Sequence, residues 1–312
     1  MKTLIVNKYT LAAAVVATAV CGARADVDPE TPAAPANAEV AEAEKGETEE
    51  TPIVSATFAL AFDSKYLSYG FVDNRDPILT PSAEATFFDT LTIGVEAIFD
   101  TTKYGRKAGY GNHAGRYTEL HPYIGLGHSF SDEDYEWLPT TIDVSLTYLY
   151  EYHPESKDHG DGEDEDSQFW TLEISAPDCI LEPTLAIERD TVRDNGTYVN
   201  LELGHTFNLL GEDDDTLTLR PSVAQGFGNC ERVKAYVGEC DHPANKNGLM
   251  DTLIKLELAW NVCDNVAVSG YVGYSDFLFD RDIRRASRSY EATGRCHDSY
   301  NFIGGLGVEL SF

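Results

Sequence analysis

From residue 53 onward, apolar and polar residues alternate in runs at 53–63, 77–88, 91–100, 118–130, 140–150, 167–176, 181–190, 196–208, 216–227, 249–261, 265–275 and 299–312. A period of two is the period of a β-strand, so the pattern predicts about twelve strands. The last run is the clearest. Phe302, Gly304, Leu306, Val308, Leu310 and Phe312 alternate with Ile303, Gly305, Gly307, Glu309 and Ser311. A fully apolar face is what a lipid-facing barrel strand needs, because in lipid only a closed sheet pairs every strand N–H and C=O.

The connections carry a second pattern, since short and long ones alternate along most of the chain. The short set is 89–90, 131–139, 177–179, 211–215 and 262–264. The long set is 64–76, 101–117, 151–166, 191–195, 228–248 and 276–298, of which 191–195 breaks the rule. Five inner turns and six outer loops are what an even-stranded barrel with both termini on the inner side must have. A soluble sandwich has no reason for that alternation.

The period of two also assigns faces. Phe58, Leu60 and Phe62, then Leu91, Ile93, Val95 and Phe99, then Ile142, Val144, Leu146, Tyr148 and Tyr150 are expected to face lipid, as are Val199, Leu201, Leu203, Phe207, Ile254, Leu256, Leu258 and Trp260. The opposite face carries Asp63, Glu84, Glu96, Asp100, Glu119, His121, Asp143, Glu173, Glu182, Glu188, Glu202, Glu257 and Glu309, with Arg220 and Lys255 as its clear cations. A dry core could not hold these acids unpaired at several kcal/mol each, so the interior is expected to be wet or its acids partly protonated.

No segment after residue 25 has the length of apolar sequence that a spanning helix requires. The N-terminus instead reads as a secretory signal over 1–25: Lys2 and Lys8, the apolar stretch Leu11 to Val20, then Ala23-Arg24-Ala25 before Asp26. Cys21 invites a lipoprotein reading, but Val20 is too large for the position before a lipidated cysteine. Residues 26–52, rich in Ala, Pro and Glu, cannot bury enough apolar surface to offset their ordering entropy and are expected to form a disordered leader. The net charge of -30 excludes nucleic acid as a partner.

Asp63-Ser64-Lys65-Tyr66-Leu67-Ser68-Tyr69-Gly70 with the following Pro77 to Phe88 resembles the opening of a family of bacterial outer-membrane barrels labelled Gcw_chp. Glu182-Pro183-Thr184 through Asp190, then Gly196-Thr197-Tyr198-Val199, is similar to its central region, and the likeness covers roughly 60% of the barrel. The C-terminal alternation ending on an aromatic also resembles the insertion signal of outer-membrane barrels, with Leu306, Val308, Leu310 and Phe312 as the residues presented to the barrel-assembly machinery. These resemblances imply a porin-like or structural barrel and supply no catalytic residue.

Candidate chemistry lies in the loops and the lumen. Cys230 and Cys240 are expected to close a loop by a disulfide, with Cys296 competing for either, while Cys179 and Cys263 sit in inner turns and can pair only if those two turns meet under the barrel mouth. Loop 151–166 is densely acidic, but the spacing Asp161-Gly162-Glu163-Asp164-Glu165-Asp166 does not match a calcium loop, so no metal is assigned. Loop 276–298 brings Arg281, Arg284, Arg285 and Arg288, either as a constriction against the acidic wall or as contacts to lipopolysaccharide phosphates. His128-Ser129 and His205-Thr206 are adjacent in sequence, which sends their side chains to opposite faces and argues against a hydrolase triad. Two echoes have no functional reading: Leu-x-Pro at Pro81, Pro122, Pro183 and Pro221, and the paired Gly127-His128-Ser129-Phe130 and Gly204-His205-Thr206-Phe207.

The expectation is therefore an all-β, up-and-down antiparallel barrel at 53–312 in the bacterial outer membrane, without cofactor or enzymatic activity. Its partners are membrane lipid, lipopolysaccharide and small cationic or neutral solutes. The function expected is a passive, cation-preferring channel lined by Glu84, Glu96, Asp143, Glu173, Glu202 and Glu257. The alternative is a non-conducting structural or adhesive barrel whose outer loops carry the interaction.

Overall fold

The computed structural model describes residues 53–102, 114–131, 135, 137–154, 166–211, 215–237, 246–284 and 300–312. Its elements are β1 (Val54–Asp63), β2 (Tyr66–Ser68), β3 (Phe71–Asn74), β4 (Ile78–Phe87), β5 (Leu91–Asp100), β6 (Tyr117–Phe130), β7 (Ile142–Glu151), β8 (Ser167–Ser175), β9 (Thr184–Asp190), β10 (Thr197–Gly204), β11 (Phe207–Asn208), β12 (Leu217–Gly228), helix α1 (Cys230–Val237), β13 (Gly248–Cys263), β14 (Val266–Asp276) and β15 (Tyr300–Ser311). The signal and leader expected at 1–52 lie outside the described residues.

All the expected runs form strands, and twelve of the strands join in one antiparallel ring. Each pairs with its sequence neighbour, the short β11 adding only a two-residue extension beside β12. The ring closes where β1 meets β15, with Phe58 opposite Leu310, Leu60 opposite Val308 and Phe62 opposite Leu306. Closure removes both edges, so no ladder is left to seek a partner.

The Leu-x-Pro echo falls where a ladder hydrogen bond is dispensable. Pro81 lies in the gap of the β4–β5 register between Leu79 opposite Phe99 and Ser82 opposite Glu96. Pro122 pairs with Val95 on β5 but precedes the first β6–β7 pair at Tyr123. Pro221 fills the break between β10 and β11, where its carbonyl accepts the His205 N–H at 3.2 Å. The Gly-His-x-Phe echo places an edge-to-face pair at two inner strand ends: His128 on Phe130 and His205 on Phe207, each at 4.6 Å.

Two outer connections fold back over the ring. The β2–β3 hairpin turns at Tyr69 and Gly70, both at positive φ of 51° and 85°. A side chain at Gly70 would collide with Asp251, so glycine is required there both for the turn and for the approach to β13. Helix α1 is capped by Asn229, whose side-chain oxygen accepts the Arg232 N–H at 3.0 Å and the Thr197 N–H at 2.9 Å. Phe71 of the hairpin, Val233 of α1, Met250, Phe277 and Ile283 then bury one another, with Tyr69, Tyr198 and Tyr236 packed alongside. This apolar core, formed at the outer mouth by three loops and the end of β13, was not visible in the strand pattern.

Candidate functional site

The outward positions of the ring form a continuous apolar belt: Phe58, Ile93, Ile124, Leu126, Leu146, Leu201, Val223, Ile254, Leu258, Val272, Phe302 and Leu306 are all exposed. Val272 is 63% and Phe302 69% exposed, and no water-soluble monomer presents such a belt on every side. Phe207, Trp170 and Trp260 lie on the same surface toward the strand ends. The protein is a membrane-spanning β-barrel. The residues expected to face lipid have the outward parity throughout, and Phe312 packs edge-on against Phe58 at 6.3 Å across the closing seam.

Inside, the expected lining acids divide into two groups. On the wall β15–β1–β4–β5, Asp63 accepts from Tyr271 at 2.8 Å, Glu84 from Tyr123 at 2.7 Å and Glu309 from Ser311 at 3.3 Å. None of these three has an ion-pair partner among the described residues, and neither has Asp143 at the inner end of β7. Glu96 faces His121, at 3.4 Å. Gly305 makes this wall possible, because a side chain there would strike both Asp63 and Tyr271.

The wall β10–β12–β13 is instead charge-compensated. Arg220 binds Glu202 and reaches Glu182 at 3.0 Å, and Lys255 meets Glu257 at 2.9 Å. Glu182 lies in the inner turn before β9, and burial acts to raise its pKa. The N–H and hydroxyl of Thr206 and the Arg220 guanidinium outweigh that and hold it below the ordinary glutamate range. Glu173 also points inward, from β8 beside Ser145.

The outer mouth turns on Arg232, which is fully buried. Its guanidinium lies 3.6 Å from Glu188 and 3.3 Å from Asp194, and its carbon sits 4.6 Å from the centre of the Tyr69 ring. Tyr69 in turn donates its hydroxyl to Glu188. Burial, with the carboxylate of Glu188 beside it, pushes the Tyr69 hydroxyl pKa up and keeps it a donor. One loop cation that enters the barrel thus comes from the β12–β13 connection, where no arginine had been singled out.

Of the arginine loop, the described residues are those up to Arg284. Arg284 binds Asp276 at 2.7 Å, at the outer end of the strand it follows, and Asp280 caps that turn by accepting the N–H groups of Asp282 and Ile283. Arg281 lies in the same turn, while Arg285 and Arg288 fall outside the described residues. Cys230 opens α1, unbridged among the described residues, with Sγ 3.7 Å from Glu231 Oε1. Cys240 and Cys296 lie outside the described residues, so the bridge expected at Cys230 remains an expectation. Cys179 is a free thiol and is not joined to Cys263.

A last inward cluster gathers Glu119 and His121 of β6, Glu151 at the end of β7, and His153 just beyond it. Sequence reasoning placed Glu119 and His121 on the polar face and Glu151 and His153 in an acidic loop, but not together. The signal was the β6–β7 pairing, which continues through an isolated bridge between Leu120 and Tyr152.

No family model matches the chain, and no curated protein does, so the resemblance to Gcw_chp barrels stands on the residues that carry it. Among solved structures, the chain is similar to an outer-membrane channel from Pseudomonas putida F1, at 9% identity over 87% of this chain and 100% of that one, TM-score 0.44. It is similar to OpdK of Pseudomonas aeruginosa, solved with vanillate, at 12% identity over 76% of this chain and 57% of that one, TM-score 0.36. OmpT of Vibrio cholerae matches at 10% identity over 85% and 100%, TM-score 0.35. The barrel's own walls supply the grounds for a function.

Proposed function

We propose that the protein is a narrow, passive diffusion channel that prefers cations and admits small cationic or neutral solutes. The observation that supports this is the wall formed by β15, β1, β4 and β5, where Asp63, Glu84 and Glu309 carry no ion pair among the described residues. Their field lowers the energy of a cation in the lumen and raises that of an anion, while Arg220 and Lys255 across the barrel leave a transverse gradient. Contact of the outer loops with lipopolysaccharide phosphates, through Arg281, Arg285 and Arg288, and recognition of the C-terminal strand by the barrel-assembly machinery belong to the same reading.

The second reading, a non-conducting barrel with an adhesive or structural outer surface, is favoured by the apolar core and buried Arg232 at the outer mouth. Single-channel recording of the refolded full chain, beside Arg232→Ala, separates the two. A conducting barrel gives stable steps that grow in the variant. Folded, heat-modifiable protein silent in both forms establishes the second reading.

A further inference from the structure

We propose that Glu119, His121, Glu151 and His153 form a binding site for a divalent transition metal of the zinc class, inside the outer half of the barrel. The site is independent of whether the lumen conducts.

Glu119 and His121 are two residues apart on β6 and so point to the same inward side. Glu151 ends β7, the next strand, and His153 is brought back beside it by the Leu120–Tyr152 bridge and by its own N–H bond to Asp166 Oδ1 at 2.8 Å. The four side chains meet with nitrogen facing oxygen throughout. His121 Nε2 lies 3.1 Å from Glu119 Oε2 and 4.0 Å from Glu151 Oε2. His153 Nε2 lies 3.7 Å from Glu119 Oε1 and 3.5 Å from Glu151 Oε1. One ligand atom each from Glu119, His121 and Glu151 lie within 4.8 Å of one another, and the four nitrogen–oxygen separations run from 3.1 to 4.0 Å, so His153 and Glu151 must close in on a tetrahedral metal, whose bonds of about 2.0–2.1 Å set its ligand atoms about 3.3 Å apart.

The surroundings fit the same assignment. The other ring nitrogen of His121, Nδ1, faces Glu96 Oε1 at 3.4 Å, the carboxylate–histidine arrangement that orients an imidazole toward a metal. Tyr66 of the folded-in hairpin donates its hydroxyl to Glu119 Oε2 at 3.0 Å, fixing that carboxylate from the plug side. His121 is only 6% exposed, so three carboxylates converge where water is largely excluded. A divalent cation, together with Arg193 at 3.8 Å from Glu151, balances them while both histidines stay neutral. Two imidazoles with two carboxylates select zinc, cobalt or nickel over calcium and magnesium, which want oxygen alone.

The test is titration of Zn²⁺ into chelator-stripped, refolded full chain, with Co²⁺ as a spectroscopic probe. The expected result is one Zn²⁺ per chain undisturbed by excess Ca²⁺, and visible Co²⁺ bands of tetrahedral intensity. His121→Ala and His153→Ala should each weaken Zn²⁺ by about 100-fold or more, and Glu96→Gln, which keeps all four ligands, by about 10–100-fold. His153 lies beyond the strand, so its variant decides the matter if the His121 variant fails to show the heat-dependent mobility of a folded barrel. Absence of saturable Zn²⁺ uptake overturns the proposal, as does uptake unchanged in His153→Ala, which would place the metal on the acidic loop outside.

Discussion

Arg232 is buried at the outer mouth within ion-pair distance of two acids, at 3.6 Å from Glu188 and 3.3 Å from Asp194, without a hydrogen bond to either. Its loss removes a buried cation from beside Glu188 and Asp194, in a place where burial already raises the Asp194 pKa. Arg232→Ala is expected to destabilise the folded barrel by about 3–5 kcal/mol, the usual result of removing one member of a buried ion pair. Heat-modification midpoints on gels measure this, and an unchanged midpoint would mean that the plug contributes nothing to stability. At the inner mouth the relevant residue is Glu182. Its folded pKa lies below the ordinary 4.5, so the stability it adds is complete above that value and is lost as pH falls through the folded value. Glu182→Gln is therefore expected to lower the midpoint at pH 7, with the gap to the parent protein narrowing as the pH falls below 4.5. A gap independent of pH would refute the clamp. Side-chain parity was legible in the alternation, because it is a property of the strand itself. The alternation could not pair the inward acids, because Arg220 with Glu182 and Glu202 depends on which strands stand side by side. Arg232 was invisible for another reason: its helix has no period-two signature, and its burial comes from the hairpin folded over it.

At the scale of elements, the seam between β1 and β15 closes the ring. Phe58, Leu60 and Phe62 stand opposite Leu310, Val308 and Leu306, and Phe312 closes over Phe58. If Leu306, Val308, Leu310 and Phe312 form an insertion signal, Phe312→Ala should sharply reduce the assembled barrel in cells while lowering in vitro stability by only about 1 kcal/mol, the worth of one aromatic pair. Normal assembly in cells would confine Phe312 to packing. The strands were legible in the sequence because each is long, alternates and is bounded by a turn. The proline positions were legible but not their reason, which emerges only from register: Pro81, Pro122 and Pro221 each stand where one neighbour is unpaired. The hairpin β2–β3 and helix α1 are too short for a period to declare itself. The loops that carry them were read only as long outer connections.

For the molecule as a whole, the apolar belt and the closed ring fix the environment, and the asymmetry of the lumen bears on the function. On one wall Asp63, Glu84 and Glu309 carry no ion pair among the described residues, and the other balances Glu202 and Glu257 with Arg220 and Lys255. Of the lining residues expected from sequence, Glu84, Glu96 and Asp143 remain candidates for the field on a permeating ion, while Glu202 and Glu257 are largely neutralised where they stand. The most direct test is the zero-current potential of the refolded protein in a planar bilayer under a potassium chloride gradient, compared with Glu84→Gln/Glu309→Gln. The account predicts a potential of the sign for cation preference, with the permeability ratio falling roughly twofold or more in the double variant. Anion preference, or a folded barrel that passes no current, would contradict it.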